Sequence, residues 1–309
     1  KKHTLSTIAI LLRMSNSTPS FSITEANAPA RLDRYLADQL KLSRSQVRKL
    51  VEAGAVACKS PAEMAKSCEL IFMCLPYAPE VRSAIFGDGG IAQAKPEGLT
   101  IVDTTTLDRT DALKFAEETA ELGISYWDCP ISGMPFRAKD GTLTVMFGGS
   151  DEAYEMVKPY LEQVGTSVIH CGPVGTGQAM KALNNIIYNV NIAALAEVLP
   201  LTVAVGLDPE QVAEIVMSGS SRSFASEYFV PRMLDGLFDT DFTLSAAYKD
   251  IVNVERMAAD TGAALPVVDA MVGSYKAAIE AGYGDEPKSS MLKVYEEALG
   301  VKFRRPGKD

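Results

Sequence analysis

Residues 70–76 read Leu-Ile-Phe-Met-Cys-Leu-Pro, an unbroken apolar run that stops at a proline. A run of this kind is typical of a strand that is buried on both faces, as in a parallel sheet. Helical patterns separate it from four further strand-like segments, which lie at 100–103, 124–128, 142–147 and 168–170. Regular alternation of strand and helix predicts an α/β fold, with a doubly wound sheet covered by helices on both faces.

The alternation ends at Gly177, and only helical patterns follow it. The first covers 178 to about 205, and others lie near 224–235, 245–260, 266–281 and 286–299. We therefore predict three segments in the chain. They are an atypical N-terminal segment (1–50), a sheet domain (51–172) and an all-helical domain (173–309).

The composition limits the function. The chain has 309 residues, 47% of them apolar and 22% charged, as in soluble globular proteins. No apolar run approaches the roughly 20 residues that span a bilayer, so we expect no integral membrane role. A net charge of −9 disfavours general nucleic-acid binding.

Histidine and cysteine usage narrows the chemistry further. The chain has two histidines, His3 and His170, and His3 lies in the terminal segment. We therefore expect neither a His-rich metal site nor a histidine-based triad, and we predict no metal site. The five cysteines include no Cys-x-x-Cys pair, which favours reduced thiols in a cytoplasmic protein. Cys68, Cys74 and Cys129 lie in apolar runs, so we expect them to be buried.

The string with the clearest chemistry is 175–185, Gly-Thr-Gly-Gln-Ala-Met-Lys-Ala-Leu-Asn-Asn. Its two glycines open the long helix, where backbone N–H groups are free. Lys181, Asn184 and Asn185 follow at i, i+3 and i+4, and therefore lie on one helix face. A lysine there could act as general acid on a carbonyl oxygen, with Asn185 orienting the substrate. A capped helix with an exposed polar stripe explains the same spacing.

Another string, 128–134, reads Asp-Cys-Pro-Ile-Ser-Gly-Met and follows a predicted strand. Doubly wound sheets bind ligands where their strands end. Ser132 and the neighbouring backbone N–H groups could therefore hold a substrate carboxylate. An ordinary turn is the alternative.

Three weaker signals lie at strand ends and in the helical half. Leu75-Pro76 and the string 103–106, Asp-Thr-Thr-Thr, both follow strands, where a dinucleotide crosses the sheet edge. Lys249, followed by Asp250, could reach a cofactor from its helix, although a surface ion pair is the commoner arrangement.

Taken together, these strings resemble the β-hydroxyacid dehydrogenase family over about residues 50–300. The matching text is GAVACKSPAEMAKSCELIFMCLP at 54–76, DCPISG at 128–133, DGTLTVMFGG at 140–149, GxGxxxKxxNN at 175–185 and Lys249-Asp250. The resemblance implies a Rossmann-like domain followed by a helical domain. It also implies NAD(P)-dependent interconversion of a small 3-hydroxy or 2-hydroxy acid with its carbonyl partner, and a homo-oligomer.

The resemblance also implies roles for particular residues. Lys181 would be the catalytic residue. Asn185, Ser132 and Gly133 would bind the substrate. The remaining implied residues would contact the NAD or NADP cofactor: Leu75, Pro76, Thr106 and Lys249.

The chain departs from the family pattern at two places. Family members begin with a strand and a Gly-x-Gly-x-x-Gly loop, whereas the first glycine of this sequence is Gly54. The loop that would hold the pyrophosphate at a helix N-terminus is missing from residues 1–53, which predicts weak dinucleotide binding. Met134 also replaces the second glycine of the usual Ser-Gly-Gly, which would narrow the substrate pocket.

A different pattern precedes Gly54. Residues 31–56 form a predicted helical hairpin with a basic edge, and they resemble the S4 RNA-binding motif of pseudouridine synthases. Two alternatives to an active dehydrogenase or reductase therefore stay open. One is a degenerate homologue or fusion that acts as a binding protein, and the other is an RNA-associated protein that works through this hairpin.

Overall fold

A computed structural model describes residues 9–10, 22–24, 56–58, 60–94, 97–238 and 243–307. The predicted hairpin at 31–56 lies outside these residues except for Val56, as does most of the predicted N-terminal segment 1–50. The chain divides into two compact units, Lys1–Lys181 and Ala182–Asp309.

The first unit is built on a mixed sheet. The strands, in chain order, are β1 (Ala9–Ile10), β2 (Ser22–Thr24), β3 (Val56–Cys58), β4 (Leu70–Met73), β5 (Thr100–Asp103), β6 (Ser125–Asp128), β7 (Ile131–Ser132), β8 (Leu143–Gly148) and β9 (Gly165–Gly172). The main sheet has the order β1-β4-β5-β6-β8-β7, with β9 also paired to β8, and β2 pairs with β3 separately. Strands β4, β5 and β6 are parallel, so Met73, Asp103 and Asp128 lie side by side at their carboxyl ends.

Helices cover both faces of this sheet, as predicted. They are α1 (Pro61–Ala65), α2 (Ala78–Phe86), α3 (Arg109–Ala120), α4 (Met134–Lys139) and α5 (Asp151–Leu161). Side chains capping their N-termini explain where three of them begin: Ser60, Asp108 and Ser150 each accept a hydrogen bond from a backbone N–H of the first turn.

The apolar runs of the strands divide between two cores because successive side chains point to opposite faces. Ile71 and Ile101 pack in one core with Phe115 of α3. Leu70 and Val102 belong to the other. Helices can therefore pack on both sides, which is why the strands lack a polar face.

The expectation that Cys74 is buried was wrong. Cys68 and Cys129 are buried as predicted, but Cys74 is exposed. Strand β4 ends at Met73, so Cys74 already belongs to the loop and leaves the apolar layer.

The second unit consists of helices and short helical turns in its described residues. They are α6 (Thr176–Ala204), which begins in the first unit, α7 (Pro209–Ser218), α8 (Phe224–Leu234), α9 (Leu244–Thr261), α10 (Pro266–Ala278) and α11 (Leu292–Leu299). Their apolar faces share one core that includes Phe229, Tyr275 and Phe303. The predicted helical ranges are confirmed to within a few residues, except that the last begins as a 3-10 turn at Lys288–Met291.

Helix α6 is long and rich in apolar residues. By length and composition its 29 residues could cross a membrane. The helix nevertheless contributes Ile192, Ala196 and Leu199 to the core of the helical unit. Core packing of this kind accounts for the apolar residues on that face of the helix.

Candidate functional site

The carboxyl ends of β4 and β5 are tied together by the threonines that follow β5. The Thr105 Oγ1 accepts a hydrogen bond from the Leu75 backbone N–H at 2.9 Å. The Thr104 N–H and hydroxyl both donate to the Met73 carbonyl oxygen, each at 2.7 Å. The two loops that carry predicted cofactor contacts are thus held at one edge of the sheet.

The predicted cofactor contacts of this unit differ in exposure. Leu75 is buried, Thr106 is half-buried, and Pro76 is exposed. They lie at the carboxyl ends of adjacent parallel strands, which is where doubly wound sheets bind nucleotides. The polar and exposed positions among these loops are compatible with contact to an NAD or NADP cofactor. Residues 1–53 contain no glycine, so they offer no glycine-rich loop for its phosphates.

Two buried carboxylates, Asp103 and Asp128, end the neighbouring strands β5 and β6. The carboxylate of Asp103 accepts hydrogen bonds from the Thr105 N–H at 2.9 Å and from the Tyr126 hydroxyl at 2.7 Å. Burial raises the pKa of Asp103 to about 6 despite these bonds, and the nearby charge of Asp128 adds to the effect. Burial likewise raises the pKa of Asp128 to about 6.

Asp128 caps the start of α6. Its Oδ1 accepts from the Gly175 N–H at 2.5 Å, and its Oδ2 accepts from the Gln178 N–H at 2.7 Å. These are backbone donors that a helix N-terminus leaves without an intrahelical partner. A β-carbon at Gly177 would stand 2.5 Å from the Met146 carbonyl oxygen, so only glycine permits this close approach.

Lys181 lies one turn beyond Gln178 on α6, and only 9% of it is exposed. Among the described residues, the buried lysines are Lys181 and Lys288. Burying an ammonium group is costly, because water no longer solvates its charge. The structure therefore places a largely buried lysine side chain in the N-terminal part of the long helix.

The predicted carboxylate-binding loop has an unusual backbone. Ser132 pairs with Thr144 through β7, and Gly133 follows with a φ of 149°. Met134 has a φ of 62° and is the non-glycine residue with positive φ in the described part of the chain. The backbone at Met134 therefore has the left-handed conformation that glycine adopts easily and that methionine adopts only with strain.

The remaining predicted site residues belong to the helical unit. Asn185 is half-buried on α6, four residues after Lys181. Lys249 of α9 is half-buried and pairs with Asp250 at 3.1 Å, the arrangement that we named as its alternative. The spacing on α6 puts Lys181 and Asn185 on the same helix face.

Sequence reasoning assigned no role to the residues that connect these loops. Gln178 and Tyr126 lie beside residues that were singled out, yet neither was given a function. The signal that could have pointed to them was an aspartate at the end of a buried strand, because a carboxylate in an apolar layer needs hydrogen-bond donors nearby.

The fold and the site together define the class of protein. A doubly wound sheet has polar loops at the carboxyl ends of its parallel strands, and a long helix carrying a buried lysine leads from it into a helical unit. This is the architecture of a dinucleotide-dependent oxidoreductase with two domains.

Comparison with known proteins identifies the family. A family model described as the NAD binding domain of 6-phosphogluconate dehydrogenase matches residues 38–172. A second, described as NAD-binding of NADP-dependent 3-hydroxyisobutyrate dehydrogenase, matches residues 175–295. The 2-(hydroxymethyl)glutarate dehydrogenase of Eubacterium barkeri is 34% identical, over 84% of this chain and 87% of its own length.

Two further relatives agree. The 2-hydroxy-3-oxopropionate reductase of Escherichia coli strain K12 is 34% identical, over 65% of this chain and 69% of its own. The crystal structure of 3-hydroxyisobutyrate dehydrogenase from Salmonella typhimurium superposes with a TM-score of 0.72 at 26% identity, covering 80% of this chain and 87% of that one. The chain belongs to the β-hydroxyacid dehydrogenase family, whose members are NAD(P)-dependent hydroxyacid dehydrogenases and reductases.

Proposed function

We propose that this protein interconverts a small hydroxy acid and its semialdehyde or keto form, with Lys181 as the general acid and base. The substrate would be similar to 3-hydroxyisobutyrate or to 2-hydroxy-3-oxopropanoate. The observation that supports this most strongly is the burial of Lys181 on α6, one turn after a helix start that is tied to the sheet edge.

The chemistry assigns one task to each group. When bound, NAD or NADP exchanges a hydride with the carbon that bears the substrate oxygen. In the reductive direction the Lys181 ammonium donates a proton to the carbonyl oxygen, and in the oxidative direction the neutral amine accepts the hydroxyl proton. The Ser132 hydroxyl and the Gly133 N–H would bind the substrate carboxylate, and the Asn185 amide would orient the reacting oxygen.

The cofactor contacts in this proposal are those that the family resemblance implies: Leu75, Pro76, Thr106 and Lys249. We expect a homo-oligomer in the cytoplasm, which size-exclusion chromatography coupled to light scattering and cell fractionation would test.

Replacement of Lys181 by methionine tests the central role. Loss of a general acid lowers kcat by about 10²- to 10⁴-fold, so Lys181→Met should lose nearly all turnover of 3-hydroxyisobutyrate with NAD⁺ or NADP⁺. Lys158→Met is the matched control, since Lys158 lies on the surface of α5. Full activity in Lys181→Met would remove the lysine from the mechanism.

The second candidate function is supported by the missing glycines before Gly54. If the wild-type protein folds normally but turns over no hydroxy acid, the hypothesis of a non-catalytic binding protein replaces that of a dehydrogenase or reductase. A gel shift across a range of salt concentrations would then test whether the hairpin at 31–56 binds RNA, since phosphate contacts weaken as salt rises.

A further inference from the structure

The side chain of Gln178 connects two functional segments of the sheet unit. Its Oε1 accepts a hydrogen bond from the Leu107 N–H at 3.0 Å, and its Nε2 donates to the Thr105 carbonyl oxygen at 2.7 Å. Only 1% of Gln178 is exposed, so water does not compete for these bonds. One amide group thus holds the loop after β5 from both sides of Thr106.

The backbone of Gln178 is held just as firmly. Its N–H donates to the Asp128 Oδ2 at 2.7 Å, and the other oxygen of the same carboxylate accepts from Gly175. Bonds between backbone N–H groups and a carboxylate are stronger than bonds between neutral groups. The first turn of α6 is therefore anchored to the end of β6.

These contacts lie directly between two residues to which we have assigned functions. Thr106 is flanked by Thr105 and Leu107, the two residues that the Gln178 amide binds. Lys181 follows Gln178 by three residues on the same helix, so the two side chains share a helix face. A shift of the amide would move the loop relative to the lysine.

We propose that Gln178, supported by Asp128, is a positioning residue that sets the spacing between Lys181 and the loop at Thr106. This inference rests on the proposed role of Lys181. Gln178 contacts neither substrate nor reacting atoms in this proposal, and it acts through the two segments that it joins. A displacement of about 1 Å in a catalytic group can cost about 10²-fold in rate, so small movements of this contact matter.

An ordinary structural role is the competing explanation, because two buried backbone groups lose their partners when the amide is removed. Stability alone cannot separate the two explanations. They differ in whether the effect of Gln178 depends on Lys181. A positioning residue loses its effect on kcat when the group that it positions is absent, whereas a structural residue does not.

The test is a double-mutant cycle on kcat, in the full-length protein with cofactor at saturation. Gln178→Met should lower kcat by about 10- to 100-fold in the wild-type background. In the Lys181→Met background the same change should alter the residual kcat less than threefold. Gln163→Met is the matched control, because Gln163 is exposed and its amide makes a single local hydrogen bond to Pro159.

A second variant keeps the proposal testable if Gln178→Met fails to fold. Gln178→Glu retains an acceptor for Leu107, but its new carboxyl must be protonated before it can donate to the Thr105 oxygen. The ratio of its kcat to the wild-type kcat should therefore rise as the pH is lowered. A ratio that is flat with pH, or equal losses from Gln178→Met in both backgrounds, would overturn the positioning role.

The outcomes separate this inference from the proposed function. If Lys181→Met abolishes turnover while Gln178→Met retains full kcat, Lys181 stands and only the positioning role falls. If Lys181→Met is fully active, the proposed function itself fails.

Discussion

Lowering the pH should stabilise the sheet unit. Burial raises the pKa of both Asp103 and Asp128 to about 6, above the ordinary value of 3.8. The folded state therefore binds these two protons more tightly than the unfolded state does. The stability that this contributes is fully present below the unfolded pKa and is lost as the pH rises through about 6.

The size of the effect follows from these values. Between pH 7.5 and pH 5 a carboxyl with a folded pKa of about 6 adds about 1.4 kcal/mol to the free energy of unfolding. The charge of Asp128 contributes to the raised pKa of Asp103, so the two carboxyls do not titrate independently, and we expect a combined gain of about 2–3 kcal/mol. The charge of Arg109 lowers the pKa of Asp128, and the Tyr126 hydroxyl lowers that of Asp103. The pKa values of Tyr126, Cys129 and Cys171 are themselves raised by burial and by these carboxylates, so the three groups stay protonated in this range.

The assay uses the single tryptophan of the chain, Trp127, which lies on β6 between Tyr126 and Asp128. Urea unfolding followed by its fluorescence at several pH values gives the free energy of unfolding of the sheet unit. Asp103→Asn is the comparison, because its amide can accept from Thr105 and donate to the Tyr126 hydroxyl.

The variant should lose roughly half of the pH dependence. The other titratable groups are the same in both proteins, so their contribution cancels in the difference. A wild-type stability that is flat or lower at pH 5, or an equal slope in Asp103→Asn, would refute the assignment of raised pKa values to these carboxyls.

Three further predictions concern other parts of the molecule. Met134→Gly should raise the free energy of unfolding by up to about 1 kcal/mol, because it relieves the positive φ; a lower thermal midpoint would contradict this. Arg304→Met should cost about 3–5 kcal/mol in urea unfolding, because it leaves the buried carboxylate of Glu296 without its paired charge, whereas the exposed Arg305→Met should cost less than about 1 kcal/mol. Fluorescence titration should show weak binding of NADH and NADPH, since no glycine precedes Gly54, and micromolar or tighter affinity would count against that expectation.

Hydrophobic periodicity in the sequence predicted most of the fold. The apolar run at 70–75 led to a buried parallel strand, and the helical patterns after Gly177 led to helices, both of which the structure confirms. These features are local, because side-chain periodicity depends on residues within one strand or a few helical turns. The antiparallel pairing of β8 with β6 and of β7 with β8 was not predicted, since strand direction depends on partners that lie outside each strand's own sequence.

The sequence by itself determined the two kinds of architecture, the family resemblance and the identity of the candidate lysine, because each is expressed in residue spacing. Only the tertiary structure showed that Gln178 joins the helix start to the loop after β5, across 73 residues of chain in the longest contact, and that Asp128 ties the same helix start to the end of β6. It also showed that Met134 retains a backbone conformation suited to glycine. Both findings depend on donors, acceptors and backbone angles that come together only when distant strands have paired, and residue spacing along one chain carries no record of them.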